Sequence, residues 1–550
     1  MTTRVRDAKD LVLSLPNDHP LQIAIRTYPL ALSLSLGPSL LSFLASSRTR
    51  TTGLASGLKS ILLRELGITS FPFAITVAIG GGSGLQFLWK HLERKWTKAP
   101  RGSGESGFLA RLEPWQKTFV CNVLASLTAI ILLHARRRPV QTQKVDIPIP
   151  CTVPIARARE PERGHFSATL DLTLLVLVRA FDALAQRIIF KRAGNEKKQA
   201  RKRRLSITTK LDALAFWASS AGIMWCFFYE PERLPRSYVK WIGSLANIDN
   251  RIVTALRAIR SKQWSYVHGT SPDPNPLALL SRDLGYSAQW GDPKILPAYG
   301  GYAANAIWKP LGVHGRGSVG GLPCEIVHGS VTGGSCTGNV TIRGVHAFLE
   351  ALALYLPVHV LPILIRRPQK LLSFPAILDT FLGIVRSASF LSAFVSSFWA
   401  AVCFTRTLVV ARALPRISHD FYDGPFGCVL AGCLACGGSI WVESGRRRGE
   451  MALYVLPRAI RVCLPNRWLR SGRKSVYAIE RAVFTLSLAT LLTTAVHHPE
   501  TLRGLSRWTL GFVLRGPNVV CPQDNKVDAR DVRMAPTNGG TLPKSLNRRK

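Results

Sequence analysis

Apolar positions along this chain gather into long runs separated by polar stretches rich in Arg and Lys. In the first half the runs cover 21–45, 71–89, 119–134, 168–190 and 211–229; in the second, 345–365, 387–410, 426–443, 450–464 and 482–497. A helix needs about 20 mostly apolar residues to cross a bilayer. Segments 71–89, 211–229, 345–365, 387–410 and 426–443 meet that requirement best, whereas 21–45 is broken by Arg26 and Pro38 and 119–134 is short. The pattern predicts an all-α, polytopic helical membrane protein with about 8–10 membrane segments. Between the halves, residues 242–344 are Gly- and Pro-rich, too polar to span and too aromatic to be a plain linker. The stretch 516–550 is basic and rich in Gly, Pro and Asn, a composition that predicts disorder.

The fourth run of each half is different. Segment 168–190 carries Asp171, Arg179, Asp182 and Arg187, and 450–464 carries Arg458, Arg461 and Pro457. A charged side chain at mid-bilayer costs roughly 2.5–3.5 kcal/mol on insertion scales. Several on one segment favour a helix lying in the interface. Four spans and one surface helix per half is therefore the expectation.

The halves also resemble each other. "CNVLASLTAIILLHARRR" ends in Arg136, Arg137 and Arg138, and "CVLAGCLACGGSIWVESGRRR" ends in Arg446, Arg447 and Arg448. Arg179 then answers Arg458, Asp212 answers Glu480, and Pro231-Glu232 with Trp241 answers Pro499-Glu500 with Trp508. Matches in the same order predict two related helical bundles from an internal duplication. The domains expected are a first repeat over 1–241, the inter-repeat region 242–344, a second repeat over 345–515 and the tail 516–550.

Composition then excludes classes. The 550 residues carry a net charge of +40, yet only 19% are charged and 47% are hydrophobic. The basic residues sit between apolar runs, as membrane-flanking charges do, and no zinc-finger, RNP or basic-zipper pattern accompanies them. Nucleic acid is thus not an expected partner; membrane lipids with anionic headgroups are. Eleven cysteines in a chain this long do not make a disulfide scaffold. Cys121, Cys226, Cys403, Cys428, Cys433, Cys436 and Cys463 fall in or beside apolar runs, where a thiol acts as a small hydrophobe. The first twenty residues mix Arg and Lys with Asp and form neither a signal peptide nor a transit peptide.

Candidate chemistry is sparse. Arginines at an interface attract anionic headgroups, so Arg136–Arg138 and Arg446–Arg448 read as topology anchors that double as lipid contacts, with Glu450 in the first turn of the following helix. A carrier would line its path with Arg179, Asp212, Arg458 and Glu480 between the two copies. Cys324, His328, Cys336 and His346 have the side chains of a zinc site but the spacing of no compact zinc module, so no metal is expected. Glu350 and His359 are ionisable residues within one apolar run, about 13 Å apart along a helix. Gly80–Gly84 lacks the dinucleotide and phosphate-loop patterns, and with Gly427, Ala431 and Ala435 reads as close helix packing. Asn339-Val-Thr341 is an isolated glycosylation sequon. Without a nucleophile elbow, a metalloprotease motif or a phosphate loop, neither enzyme activity nor a cofactor is expected.

Three stretches resemble a known family: "CEIVHGSVTGGSC" (Cys324 to Cys336), "VRSASFLSAF" (385–394) and "ESGRRRGEMALYVLPRAI" (443–460). They are similar to the Cys/His stretch, the SASFL span and the arginine loop-and-helix of the transmembrane protein 135 family, and the likeness covers about 320–512. The long first half departs from the animal-type order of that family. The resemblance implies a multi-span protein of peroxisomal or mitochondrial membranes, linked to lipid handling and organelle homeostasis. The family is in turn similar to four-span proteins of the mitochondrial import type, which agrees with four spans per copy. It supplies no catalytic residues. A non-enzymatic role in lipid or metabolite handling is therefore expected, with a secondary carrier, or a scaffold recruiting organelle partners or a second copy through its basic loops, as the alternatives.

Overall fold

The computed structural model describes residues 15–45, 54–96, 112–135, 167, 169–193, 198–366, 373–465 and 474–516. Among these residues the protein is all-helical; the one β feature is an isolated bridge between Ser265 and Thr270. In chain order the α-helices are α1 (Pro20–Ala45), α2 (Leu54–Leu66), α3 (Phe71–Thr76), α4 (Gly82–Trp96), α5 (Pro114–Ala135), α6 (Leu170–Ala193) and α7 (Lys198–Tyr229). Next come α8 (Arg236–Ala246), α9 (Asn250–Arg260), α10 (Pro276–Asp283), α11 (Tyr302–Trp308), α12 (Cys324–His328), α13 (Cys336–Arg366) and α14 (Phe374–Cys403). The series ends with α15 (Val410–Ala413), α16 (His419–Tyr422), α17 (Cys428–Cys436), α18 (Gly445–Cys463), α19 (Lys474–His497) and α20 (Gly504–Arg515).

Five stretches are long and apolar enough to cross a membrane: Gly57–Lys95, Pro114–Ala135, Ser206–Tyr229, Phe374–Ala413 and Lys474–His497. The expected run 345–365 lies inside α13, and 426–443 divides between α17 and a 3-10 stretch, Gly437–Val442. The chain forms two compact units, one of residues 1–137 with 489–550 and one of residues 138–488. This division cuts across the boundaries expected from the repeat.

In the first unit, Ser70 caps α3 by accepting from the Phe73 amide, and Pro72 sits in its first turn. Both are standard helix-start devices. A π-helical turn, Val77–Gly81, then joins α3 to α4. Here the glycines make the close packing expected of them. A methyl group on Gly80 would lie 3.1 Å from the Ala24 Cβ, and one on Gly82 would lie 2.5 Å from the Asn122 Oδ1. Asn122 also donates to Thr493 Oγ1 at 3.1 Å, a polar tie between α5 and α19. Lipid tails are as apolar as leucine, so close backbone approach and such hydrogen bonds hold membrane helices together.

In the second unit, α7, α13, α14, α17 and α18 share one core around Phe216, Phe228, Phe390, Phe398 and Cys433. Phe228 and Phe398 stack with ring centroids 5.4 Å apart. Gly432 of α17 and Gly437, which opens the 3-10 stretch after it, also pack closely. A methyl on Gly432 would meet the Phe398 ring at 2.8 Å, and one on Gly437 would meet Trp217 at 2.5 Å.

The polar region between the halves is folded. Trp264, Tyr266, Trp290 and Trp308 are its core, with Leu277, Leu280 and Ile326. Two of the buried indoles are satisfied, Trp290 donating to Leu311 O at 2.9 Å and Trp308 to Val319 O at 2.7 Å, whereas Trp264 Nε1 is buried without a hydrogen-bond partner. Asp249 and Asn275 cap α9 and α10. Arg343 of α13 reaches back to the Ala246, Asn247 and His328 carbonyls at 2.7–3.0 Å and lies over the Trp399 ring at 4.0 Å. Asn339, the sequon residue, is fully buried and accepts from Arg343 at 2.7 Å, so an attached glycan has no room in this fold.

The paired Pro–Glu motifs take one local shape. Glu230 (φ −141°, ψ 56°) and His498 (φ −138°, ψ 58°) each precede a single 3-10 turn, Pro231–Arg233 and Pro499–Thr501, and a further helix follows each turn.

Candidate functional site

The arginine triplet at 446–448 is not a loop. Helix α18 begins at Gly445, so all three arginines lie in its first turns. The Arg447 guanidinium donates to Ser387 Oγ at 2.7 Å, lies 2.7 Å from His359 Nε2 and 3.7 Å from the Glu443 carboxylate. Arg448 donates to the Glu443 and Trp441 carbonyls at 2.9 and 3.0 Å and covers the Trp441 ring at 4.7 Å. Cations at a helix N-terminus oppose its dipole, and the buried Glu443 carboxylate beside Arg447 offsets that repulsion. Protein partners thus occupy Arg447 and Arg448. The side chain of Arg446 and all of Arg136, Arg137 and Arg138 lie outside the described residues. Glu450 lies beyond the first turn of α18, where a helix-dipole role is lost, and pairs with Arg179 instead.

That pair is one of two that join the two unusual runs. Arg179 of α6 contacts Glu450 at 3.3 Å, and Asp171 at the start of α6 accepts from Arg461 near the end of α18 at 2.6 Å. Two crossed ion pairs lock α6 and α18 in antiparallel register. Asp171 and Arg179 of one helix are thus neutralised by Arg461 and Glu450 of the other.

Next to this pair the second unit contains a cavity of about 800 Å³. Its walls come from α7, α8, α13, α14 and α18 and are overwhelmingly apolar, with Phe216, Met224, Tyr355, Phe394 and Met451 among them. The charged groups on it are Glu450 and Arg458. Arg458 lies over the Tyr454 ring at 4.1 Å and the Tyr238 ring at 4.9 Å. Such rings hold a cation through their negative faces. Its Nε is buried and has no hydrogen-bond partner, and no carboxylate pairs with it among the described residues. Burial pushes the Tyr238 phenol up to about 12, so it stays neutral beside the guanidinium.

Of the four residues expected along a transport path, two belong to this cavity. Arg458 lines the cavity and Arg179 braces it through Glu450, whereas Asp212 and Glu480 are absent from its walls. Glu480 is buried and accepts from Thr169 Oγ1 at 2.6 Å and Ser167 Oγ at 3.0 Å. Glu350 and His359 separate as well: Glu350 pairs with His346 at 3.7 Å, and His359 meets Arg447.

Of the Cys/His set, Cys324, His328 and Cys336 are buried with their ligand atoms all within 4.8 Å of one another. His346 is turned away, half exposed beside Glu350. The fourth member is Cys403 at the end of α14, whose Sγ lies 3.8 Å from His328 Nε2. Its sequence neighbours mark Cys403 only as a small hydrophobe in an apolar run.

The chain matches no family model, no curated protein and no solved structure. Function must be argued from the geometry.

Proposed function

We propose that this chain is an integral membrane protein that binds a single lipid or lipid-like anion in the cavity of its second unit, without catalysis, and so takes part in lipid handling. The observation that carries this reading is the Arg458 guanidinium on a mostly apolar cavity of about 800 Å³. It has no carboxylate partner among the described residues and donates only to Tyr454 O at 2.5 Å, and the other charged group of the cavity, Glu450, is paired with Arg179. Ligand sites are typically about 300–1,000 Å³, mostly apolar, with a few placed polar groups. An acyl chain suits the walls, since each buried methylene contributes about 0.8 kcal/mol, and a carboxylate or phosphate suits Arg458 through charge-assisted hydrogen bonds.

Five apolar helices of spanning length support a membrane setting. The likeness to the transmembrane protein 135 family supports a peroxisomal or mitochondrial membrane and a role in lipid or organelle homeostasis. The duplication reading draws support from the matching backbone of the two Pro–Glu turns. A carrier with its path between two copies is the weaker alternative, because Asp212 and Glu480 are not on the cavity.

The test is native mass spectrometry and lipid extraction of the full chain purified in a mild detergent. About one anionic lipid per chain is expected, reduced at least tenfold in Arg458→Gln and in Met451→Trp, which fills the cavity. Retention of the same lipids by both variants, or none by the unaltered protein, overturns the proposal.

A further inference from the structure

We propose that Cys324, His328, Cys336 and Cys403 form a Cys3His site for one thiophilic divalent cation, zinc by preference. The site is separate from the lipid cavity: none of the four residues lines it. Three observations converge on it.

The first is geometry. Cys324, Cys336 and Cys403 form one buried cluster. Cys336 packs in that cluster with Cys324 and Cys403, and its Sγ is within 4.8 Å of the Cys324 and His328 ligand atoms. In a tetrahedral zinc site with Zn–S near 2.3 Å and Zn–N near 2.0 Å, neighbouring ligand atoms lie about 3.5–3.8 Å apart. The 3.8 Å between Cys403 Sγ and His328 Nε2 already matches, and among Cys324, His328 and Cys336 the separations, all within 4.8 Å, need to contract by roughly 1 Å at most.

The second is the histidine. His328 Nδ1 lies 2.7 Å from Gly333 O, so the ring donates there and presents the Nε2 lone pair to the thiols. A backbone carbonyl on the remote nitrogen is the usual way a ligating imidazole is oriented and its tautomer set.

The third is charge. Arg316 is fully buried; its partners are Gly320 O, Thr407 Oγ1 at 3.4 Å and Cys324 Sγ at 3.3 Å, with no carboxylate among the described residues. The other buried guanidinium nearby, Arg406, has Asp423. A buried charge without a counter-charge is costly. Three thiolates and one divalent cation carry a net charge of −1, which Arg316 cancels. With four neutral side chains the carboxylate acting on the guanidinium would be Asp423, which is already paired with Arg406.

Binding displaces the thiol protons to solvent, so affinity rises with pH. The four ligands come from α12, from the first residue of α13 and from the last residue of α14. The cation therefore staples the aromatic-cored region before α13 to the end of a long apolar helix. It leaves no coordination position open and acts structurally.

The test uses the full chain, reduced, in detergent and without chelators. Elemental analysis is expected to find about one zinc per chain, and cobalt exchange to give thiolate charge-transfer and tetrahedral ligand-field bands. Cys403→Ser should weaken metal binding at least tenfold, whereas His346→Ala and Cys436→Ser should leave the stoichiometry unchanged. If Cys403→Ser fails to fold, alkylation of the unaltered protein decides: three thiols protected while loaded should react once the metal is chelated. A protein that holds no zinc and gives no cobalt bands overturns the site. So does a Cys403→Ser variant with an undiminished load, or a disulfide between Cys324 and Cys336.

Discussion

Lowering the pH should destabilise the second unit through one histidine. His419 is fully buried beside two glycines: a methyl on Gly321 would lie 2.5 Å from its Nδ1, and one on Gly320 would lie 2.9 Å from its Cδ2. Tyr266 and Tyr422 close the remaining sides, with ring centroids at 6.4 and 5.2 Å. Nδ1 has no hydrogen-bond partner. Burial lowers this imidazole to about 3, against 6.5 in the unfolded chain; Asp423 pulls it up, and Arg316 and Arg406 push it down. Its folded pKa is depressed, so the native state holds it neutral while the unfolded chain takes up a proton below pH 6.5. Stability is complete above that value and falls as the pH drops towards 3. Between pH 7 and pH 5 linkage gives a loss of about 2 kcal/mol. That corresponds to roughly 4–8 °C in the unfolding midpoint for a unit of a few hundred residues. Thermal unfolding followed by tryptophan fluorescence is the assay, since Trp264, Trp290 and Trp308 sit in the adjoining core. His419→Phe keeps a ring in the space and removes the proton site, so its midpoint should lose that much less over the same interval. A variant with the same pH response as the unaltered protein would refute the reasoning.

Two further substitutions probe the packing around these sites. Asp423→Asn leaves the buried Arg406, now paired at 2.6 Å, without its counter-charge, and should cost about 3–5 kcal/mol; a loss below about 1 kcal/mol in denaturant titration would show the pair to be unimportant. Gly437→Ala should cost about 1–3 kcal/mol by overpacking, because its methyl would lie 2.5 Å from Trp217 Cδ1 and 2.9 Å from Trp217 Cα. Gly438→Ala, whose nearest neighbour would be 3.8 Å away, should stay within about 0.5 kcal/mol in the same assay.

Much of the helical architecture is legible along the chain because it depends on local composition. The five spanning-length helices all fall on apolar runs visible in the sequence, and the glycines at 80–82 announce a close approach before the partner is known. The aromatic residues of 242–344 were visible too, but not that they form a core, since their neighbours come from dispersed turns. The partners of the charges on α6 and α18 are hidden for a related reason. Taken one helix at a time these charges argue against spanning, and only the fold pairs Arg179 with Glu450 and Asp171 with Arg461.

By itself, then, the order of residues determined which segments are helical and apolar, since hydrophobicity and turn propensity act over a few neighbours. Tertiary structure alone decided which distant side chains meet. It placed Cys403 against Cys324, Cys336 and His328 and turned His346 away. It drew Arg447 onto Ser387 and His359, and left Arg458 facing an apolar cavity. Those pairings depend on how helices pack and rotate against one another, a property that no local spacing encodes.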